Sequence, residues 1–234
     1  MSDSTAVESP SPTPLAGRDF SDPSTLTQWL KGLLIISFLL DLVATGSGAM
    51  ELSLLRSFQA GTAGGDIDAL ATANDNRQQA VGIIQFIFYV STAIVFLTWT
   101  YRANRNARAL GATEMKFTPG WSVGWFFVPI ASLWKPFQVM REIWQTSAEP
   151  GNWQGVKTPP LLGWWWALYL VTQILIQVSY RTANTVNDLG SALFASSVDM
   201  VSNMSSMALD VLAFFLITKI ATNQIWQAKT VEVF

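Results

Sequence analysis

The chain of 234 residues contains no cysteine and no histidine, and only 13% of its residues are charged. Without these two residue types the protein can form no disulfides and lacks the commonest general base and the commonest metal ligand. A soluble domain carries about 25% charged residues, so too little charge is present to cover a water-exposed surface. The net charge of −2 argues against a general nucleic-acid binder, which would be basic. We predict no metal site and no cofactor.

Long apolar stretches are abundant instead, since half of the residues are apolar and 11 are tryptophan. A helix needs about 20 residues to cross roughly 30 Å of hydrocarbon. Four stretches meet that length and predict membrane spans at about 26–44, 79–99, 161–178 and 198–220. The second helix is expected to continue as a polar helix to a C-cap at Gly111, and Pro159-Pro160 opens the third.

A fifth apolar stretch, Trp121–Trp134, is too short for a span, because only 14 residues separate Gly120 from Lys135. It predicts a re-entrant or interfacial helix at about 119–145, with Thr118 as the N-cap and Pro119 in the first turn. Pro129 and Pro136 are expected to kink this helix. The predicted fold is therefore an all-α membrane protein with four transmembrane helices and a kinked aromatic helix on the cytoplasmic side.

The distribution of basic residues predicts the topology, because lysine and arginine accumulate on the cytoplasmic side. If Trp121–Trp134 does not cross, three basic residues lie outside: Arg56, Arg77 and Arg181. Eleven then lie inside: Arg18, Lys31, Arg102, Arg105, Arg108, Lys116, Lys135, Arg141, Lys157, Lys219 and Lys229. A crossing segment would divide them seven to seven. We expect a multi-pass protein of the inner (plasma) membrane with both termini cytoplasmic, a disordered tail at 1–25 and a helical domain at 26–230.

Polar residues recur three or four positions apart on every predicted span, so each span has one polar face. The candidates for a ligand or ion path are Asp41, Gln85, Tyr89, Gln173, Gln177, Asn203 and Asp210. Two interpretations remain open. The polar faces can form an interhelical hydrogen-bond network, or they can line a water-filled path, which the ionisable residues within spans favour.

Basic and aromatic residues next to the second span predict a contact with lipid headgroups. The candidates for docking a lipid or another anion are Arg102, Arg105, Arg108, Lys135 and Arg141. The candidate interfacial aromatic residues are Trp121, Trp125, Trp134 and Trp144. A simple positive-inside role for the arginines remains an alternative.

Two neighbouring segments carry a resemblance to a known family. Residues 101–111 read YRANRNARALG, and residues 117–144 read FTPGWSVGWFFVPIASLWKPFQVMREIW. This block resembles a bacterial membrane family known as domain of unknown function 4328, and residues 218–224 (TKIATNQ) are similar to its usual ending. The resemblance covers about residues 26–230. It implies a multi-span protein of the bacterial inner membrane and no known activity.

Three classes of function remain. The first is an interaction or scaffolding protein, with membrane lipids, a second copy or another membrane protein as partner and no nucleic acid. The second is a channel or transporter that uses the polar faces. The third is an enzyme acting on a lipid with Glu142 or Arg141, although no motif of a known catalytic site is present and no residue is predicted to be catalytic.

Overall fold

A computed structural model describes residues 20–232, which form six α-helices and two short 3₁₀-helices. The long helices are α1 (Ser24–Gln59), α2 (Ile67–Ala109), α5 (Pro160–Ala183) and α6 (Leu189–Glu232). The short ones are α3 (Pro119–Gly124) and α4 (Lys135–Ala148), with 3₁₀ turns at Ala131–Leu133 and Pro150–Gly155. The four long helices are long and apolar enough to cross a membrane, which confirms the predicted number. The predicted tail lies outside the described residues up to residue 19.

The long helices extend well beyond the predicted spans. Helix α2 has 43 residues, so at 1.5 Å per residue it is about 65 Å long, twice the hydrocarbon thickness of about 30 Å. Helix α1 continues without a break past Gly46 and Gly48 to Gln59. Each long helix therefore exceeds the length that is needed to cross the hydrocarbon core of a membrane.

Local sequence signals explain where the helices begin and end. The Asp66 carboxylate caps α2 by accepting the backbone N–H groups of Asp68 and Ala69. After α2, Gly111 has a φ of 96°, and the N–H of Ala112 donates to the carbonyl of Ala107 at 3.1 Å. This is a Schellman ending, so the predicted cap is confirmed. Helix α5 begins at Pro160, as expected from the proline pair.

The long helices form an arc in the order α2, α1, α6, α5, since α6 packs against both α1 and α5 and α1 packs against α2. Gly48 permits the close approach of α1 to α6, because a Cβ atom there would lie 2.7 Å from the Met200 side chain. The lipid-facing surfaces keep large apolar side chains exposed, among them Ile83, Phe86 and Val201. Exposed apolar surface on this scale is typical of a protein that contacts lipid.

The buried apolar core lies at one end of the bundle, where α1 begins and α6 ends; we call this the terminal end and the opposite one the far end. Here α1, α2, α4, α5 and α6 meet around fully buried side chains: Leu30, Trp99, Val139, Met140, Ile143, Leu162, Leu216, Ile217 and Ile220. Helix α4 closes the arc at this end. No helix does so at the far end among the described residues.

The predicted helix at about 119–145 is wrong as a continuous element, since it is divided into α3 and α4. Residues 125–134 between them form a series of turns that begins after Gly124 and includes Ile130 with a φ of 66°. Pro129 removes a donor where a helix would need one, whereas Pro136 lies in the first turn of α4, where no donor is needed. The prolines thus break the element rather than kink it. We call residues 126–134 the aromatic loop.

Candidate functional site

A cavity of about 420 Å³ lies at the far end of the bundle, between the outer turns of α1, α2, α5 and α6; we call it the interhelical cavity. Among the described residues, its charged lining residues are Glu51, Asp75 and Asp199, and none of these is basic. Its uncharged polar lining residues are Asn74, Gln78, Gln85, Ser179 and Ser196. The cavity exists because α2 and α5 end the arc and none of the described elements bridges them at this level.

The polar floor of this cavity is formed by Gln85, Ser179 and Asp199. These three residues belong to a hydrogen-bond network that joins all four long helices. Gln85 Nε2 on α2 donates to Asp41 Oδ1 on α1 at 2.8 Å and to Asn203 Oδ1 on α6 at 3.0 Å. Asn203 Nδ2 donates to Asp199 Oδ2, and Ser179 Oγ on α5 donates to Asp199 Oδ1, each at 2.9 Å. Three predicted path residues, Asp41, Gln85 and Asn203, are therefore in direct contact. We call these five side chains the four-helix network.

A second cluster holds Glu51 at the cavity wall. Its carboxylate accepts hydrogen bonds from the amides of Asn74 at 3.1 Å and Gln78 at 2.8 Å. Ser47 Oγ donates to Gln78 Oε1 at 2.8 Å and accepts from Arg77 Nε at 3.0 Å. The guanidinium of Arg77 also donates to the carbonyl of Ser47 and to Asn74 Oδ1, and Arg77 is not part of the cavity lining. Glu51 lines the cavity, and neutral amides bind its carboxylate.

Within residues 20–230, two buried side-chain atoms have no hydrogen-bond partner, Ser196 Oγ and Asp210 Oδ2. Ser196 is only 6% exposed and lines the interhelical cavity. Asp210 lies on the same helix face as Asn203, two turns closer to the terminal end. Buried polar groups are nearly always paired, so these two atoms are exceptions among the described side chains.

The remaining predicted path residues lie apart from the four-helix network. Gln173 Nε2 donates to Tyr169 Oη at 3.0 Å and to Tyr89 Oη at 3.4 Å, which links α5 to α2. Tyr89 itself is 53% exposed. The Gln177 side chain is exposed on α5 and forms no hydrogen bond with the described side chains. Helical periodicity placed these residues on polar faces, but it could not show which of those faces meet.

At the terminal end, the segment that carries the family resemblance forms a second buried polar cluster. Glu142 is 4% exposed and accepts the backbone N–H groups of Lys116 at 2.6 Å and Phe117 at 3.1 Å. Burial raises the pKa of this carboxyl, although those two hydrogen bonds oppose the shift. Arg108 donates to the carbonyls of Met115 and Phe117. Glu142 and Arg108 together hold the link between α2 and α3 in place.

Fully buried amides, which sequence reasoning missed, complete this cluster. Asn104 Nδ2 donates to the carbonyl of Phe117 at 3.0 Å. Gln224 Nε2 donates to the carbonyl of Ala103 at 2.8 Å and to Ser147 Oγ at 2.9 Å, and Asn106 Nδ2 contacts Gln224 Oε1 at 3.3 Å. The available signal was the presence of amides within helical segments that otherwise pack tightly. We call Asn104, Asn106, Glu142 and Gln224 the basal polar cluster.

The predicted docking residues are distributed over several surfaces. Arg102, Arg105 and Arg141 have exposed side chains, whereas Arg108 is engaged with backbone carbonyls. Lys135 lies over the rings of Trp125 and Phe117, with its Nζ 5.3 and 5.6 Å from their centroids. The ring of Trp121 is tilted against that of Trp125, with 4.8 Å between the ring centroids. Trp121 and Trp134 are exposed, whereas Trp144 packs against the apolar core.

The chain belongs to the family described as Domain of unknown function (DUF4328), whose sequence model matches residues 65–222. That segment includes α2 to α5 and most of α6 and leaves α1 outside. No curated protein and no solved structure matches the chain. The family description supplies no activity.

Proposed function

We propose that this member of the family is a multi-pass protein of the bacterial inner membrane with both termini in the cytoplasm and the interhelical cavity open to the outer side. The eleven-to-three distribution of basic residues supports this orientation. The aromatic loop would then enter the cytoplasmic leaflet, since Phe127 and Ile130 are 70% and 72% exposed.

In this orientation the proposed function is the binding of a small monovalent cation from the outer side. The observation that carries the proposal is a cavity lined by three carboxylates and no basic side chain. Walls of one charge sign, set in a medium of low dielectric constant, concentrate ions of the opposite sign. The polar floor offers carboxylate, amide and hydroxyl oxygens, and Ser196 Oγ lacks a protein partner.

The volume of the interhelical cavity and the side chains that line it indicate which class of cation it binds. A volume of about 420 Å³ is the space of roughly a dozen water molecules at about 30 Å³ each, which suits a partly hydrated ion or a small organic ammonium. No group of three or more acidic side chains that could hold a metal ion exists within the described residues. Divalent cations favour such oxygen-rich carboxylate sites, so a single positive charge fits better.

The terminal end of the bundle is closed. Below the four-helix network and Asp210, the fully buried Leu30, Leu216 and Ile217 fill the space between α1 and α6. An open channel would need a continuous polar path there. The geometry therefore favours a binding protein, or a carrier in an outward-facing state, over a constitutively open pore.

The experiment measures thermal unfolding of the purified protein in detergent at constant ionic strength, with N-methylglucamine chloride replaced stepwise by lithium, sodium, potassium or methylammonium chloride. A ligand that binds only the folded state stabilises it by RT ln(1 + [L]/Kd), so at least one of these cations should raise the melting temperature saturably. Asp199→Asn removes a cavity carboxylate and should abolish the increase.

Asp66→Asn is the matched control, because it removes the same charge at the far end outside the cavity lining and asparagine also caps helices. It should retain the full response. If none of the cations stabilises the protein, or if both variants lose the response equally, cation binding is refuted and the polar faces serve only to hold the helices together, as in an interaction or scaffolding protein.

A further inference from the structure

A second pocket, of about 380 Å³, lies at the terminal end between the start of α3 and the start of α4. It is lined by Lys116, Phe117, Thr118, Trp121, Trp125, Lys135 and Gln138, and we call it the lysine pocket. It is separate from the interhelical cavity, which lies at the far end of the bundle. From its composition and position we infer that the lysine pocket binds the phosphate of an anionic glycerophospholipid.

The pocket lining is positively charged, because it contains Lys116 and Lys135 and none of its described lining residues is acidic. Glu142 lies near enough to interact electrostatically with Lys116. Glu142, the nearby acid, has both of its oxygens bonded to backbone N–H groups. The aromatic faces of Trp125 and Phe117 hold Lys135 in place, so its orientation does not depend on a counter-ion.

The pocket also provides neutral hydrogen-bond donors. Thr118 Oγ1 accepts the N–H of Trp121 at 3.3 Å, which leaves its hydroxyl hydrogen available. The side-chain amide of Gln138 forms no hydrogen bond with the described residues. Two ammonium groups, a hydroxyl and an amide around one space match a phosphate, which presents several acceptor oxygens and a negative charge.

The neighbouring aromatic loop identifies a lipid, rather than a soluble phosphate, as the source of that group. Phe127, Ile130 and Leu133 are 70%, 72% and 54% exposed. Two contacts hold the loop beside the apolar part of the long helices. Trp166 Nε1 donates to the carbonyl of Leu133 at 3.1 Å. The ring of Phe126 meets that of Phe96 edge-on, with 5.9 Å between the ring centroids. A loop with these side chains belongs among acyl chains, which places the adjacent lysine pocket at headgroup depth.

The residues of the proposed lipid contact differ in part from the docking residues that the sequence predicts. Lys135 remains part of it, but Arg108 is occupied by the carbonyls of Met115 and Phe117. Arg102 and Arg141 do not line the pocket. Lys116, which is not among the predicted docking residues, becomes the second cationic partner.

The experiment compares retention of phosphatidylglycerol and phosphatidylcholine with identical acyl chains by native mass spectrometry of the full-length protein. Each basic contact with an anionic lipid is worth about 1 kcal/mol, so Lys116→Gln combined with Lys135→Gln should weaken phosphatidylglycerol binding about 30-fold. Lys116→Gln alone, at an exposed side chain, should weaken it about 5-fold without affecting folding. Phosphatidylcholine binding should change little in either variant.

The matched control is Arg102→Gln combined with Arg141→Gln, which removes the same two charges from exposed positions outside the lysine pocket. This variant should keep the preference for phosphatidylglycerol. Equal losses in the two double variants, or undiminished binding by the double lysine variant, would overturn the assignment. Competition by millimolar inorganic phosphate equal to that by the lipid would also overturn it, because the acyl chains would then contribute nothing.

Discussion

Replacing Asp210 distinguishes most clearly whether this buried carboxylate has a structural or a functional role. Its Oδ2 is buried without a partner on the polar face of α6, and leaving a buried polar group unsatisfied costs about 1–3 kcal/mol. Replacing Asp210 with leucine removes that cost and adds apolar volume. We therefore expect Asp210→Leu to raise the free energy of unfolding by about 1 kcal/mol or more.

Gln85→Leu should have the opposite effect. The glutamine amide donates to both Asp41 Oδ1 and Asn203 Oδ1, so its loss leaves two acceptors without that donor. Hydrogen bonds between transmembrane helices are worth about 0.6 kcal/mol on average and at most about 1.7, which predicts a decrease of about 1–3 kcal/mol for two. Gln177→Leu is the control: Gln177 is exposed and unbonded, and such surface changes usually stay within about 0.5 kcal/mol.

The assay is reversible unfolding in mixed micelles, followed by tryptophan fluorescence, for wild type and the three variants. The expected order of stability is Asp210→Leu, then wild type and Gln177→Leu together, then Gln85→Leu. A destabilised Asp210→Leu would refute the reasoning, because Asp210 would then have a partner that stabilises the fold. An Asp210→Leu variant that is more stable yet no longer responds to cations would mark Asp210 as a residue kept for function at the expense of stability.

Three further predictions concern the topology and the terminal end. Single cysteines at Ser11, Gly64, Gly151, Asn187 and Lys229, labelled from outside intact cells, should react only at Gly64 and Asn187; labelling at Gly151 would contradict the proposed topology. Burial raises the pKa of Glu142, so the folded state binds the proton more tightly than the unfolded state does. The free energy of unfolding should therefore fall as the pH rises from the ordinary glutamate pKa of about 4.3 through the raised pKa of the folded state. Glu142→Gln should flatten this pH dependence in the same assay. Gln224→Leu should lower the free energy of unfolding by about 1–3 kcal/mol, because it leaves Ser147 Oγ and the carbonyl of Ala103 without their donor; an unchanged melting curve would show that water replaces the amide.

Hydropathy and end signals sufficed to predict the four long helices, and Thr118, Gly111 and Pro160 act as predicted. The full lengths were not predictable in the same way, because the polar ends of α1 and α6 lack an apolar run and are stabilised by neighbouring helices. The aromatic loop differs from expectation because two prolines and Gly124 jointly disfavour a helix, and a rule that treats each proline as a kink does not capture their combined effect.

Sequence periodicity also could not predict which of the polar residues contact one another. Periodicity placed Asp41, Gln85 and Asn203 on the inner faces of three helices, and they meet within 3.0 Å in the four-helix network. It placed Gln177 on such a face equally well, yet that side chain is exposed. The rotation of a helix about its axis depends on packing, and small residues such as Gly48 decide that packing. A pattern within one helix contains no information about its neighbour.

The basal polar cluster and the interhelical cavity differ in whether their residues belong to the segment that matches the family. The basal polar cluster is built largely from the segments that resemble the family, and Asn104 and Glu142 bind backbone groups that fix the link between α2 and α3. Those segments therefore specify a fold. Helix α1 lies outside the matched residues 65–222. It provides Glu51 to the lining of the interhelical cavity and Asp41 to the four-helix network. Because the cavity is incomplete without α1, any ligand specificity depends on a helix that the family match does not describe.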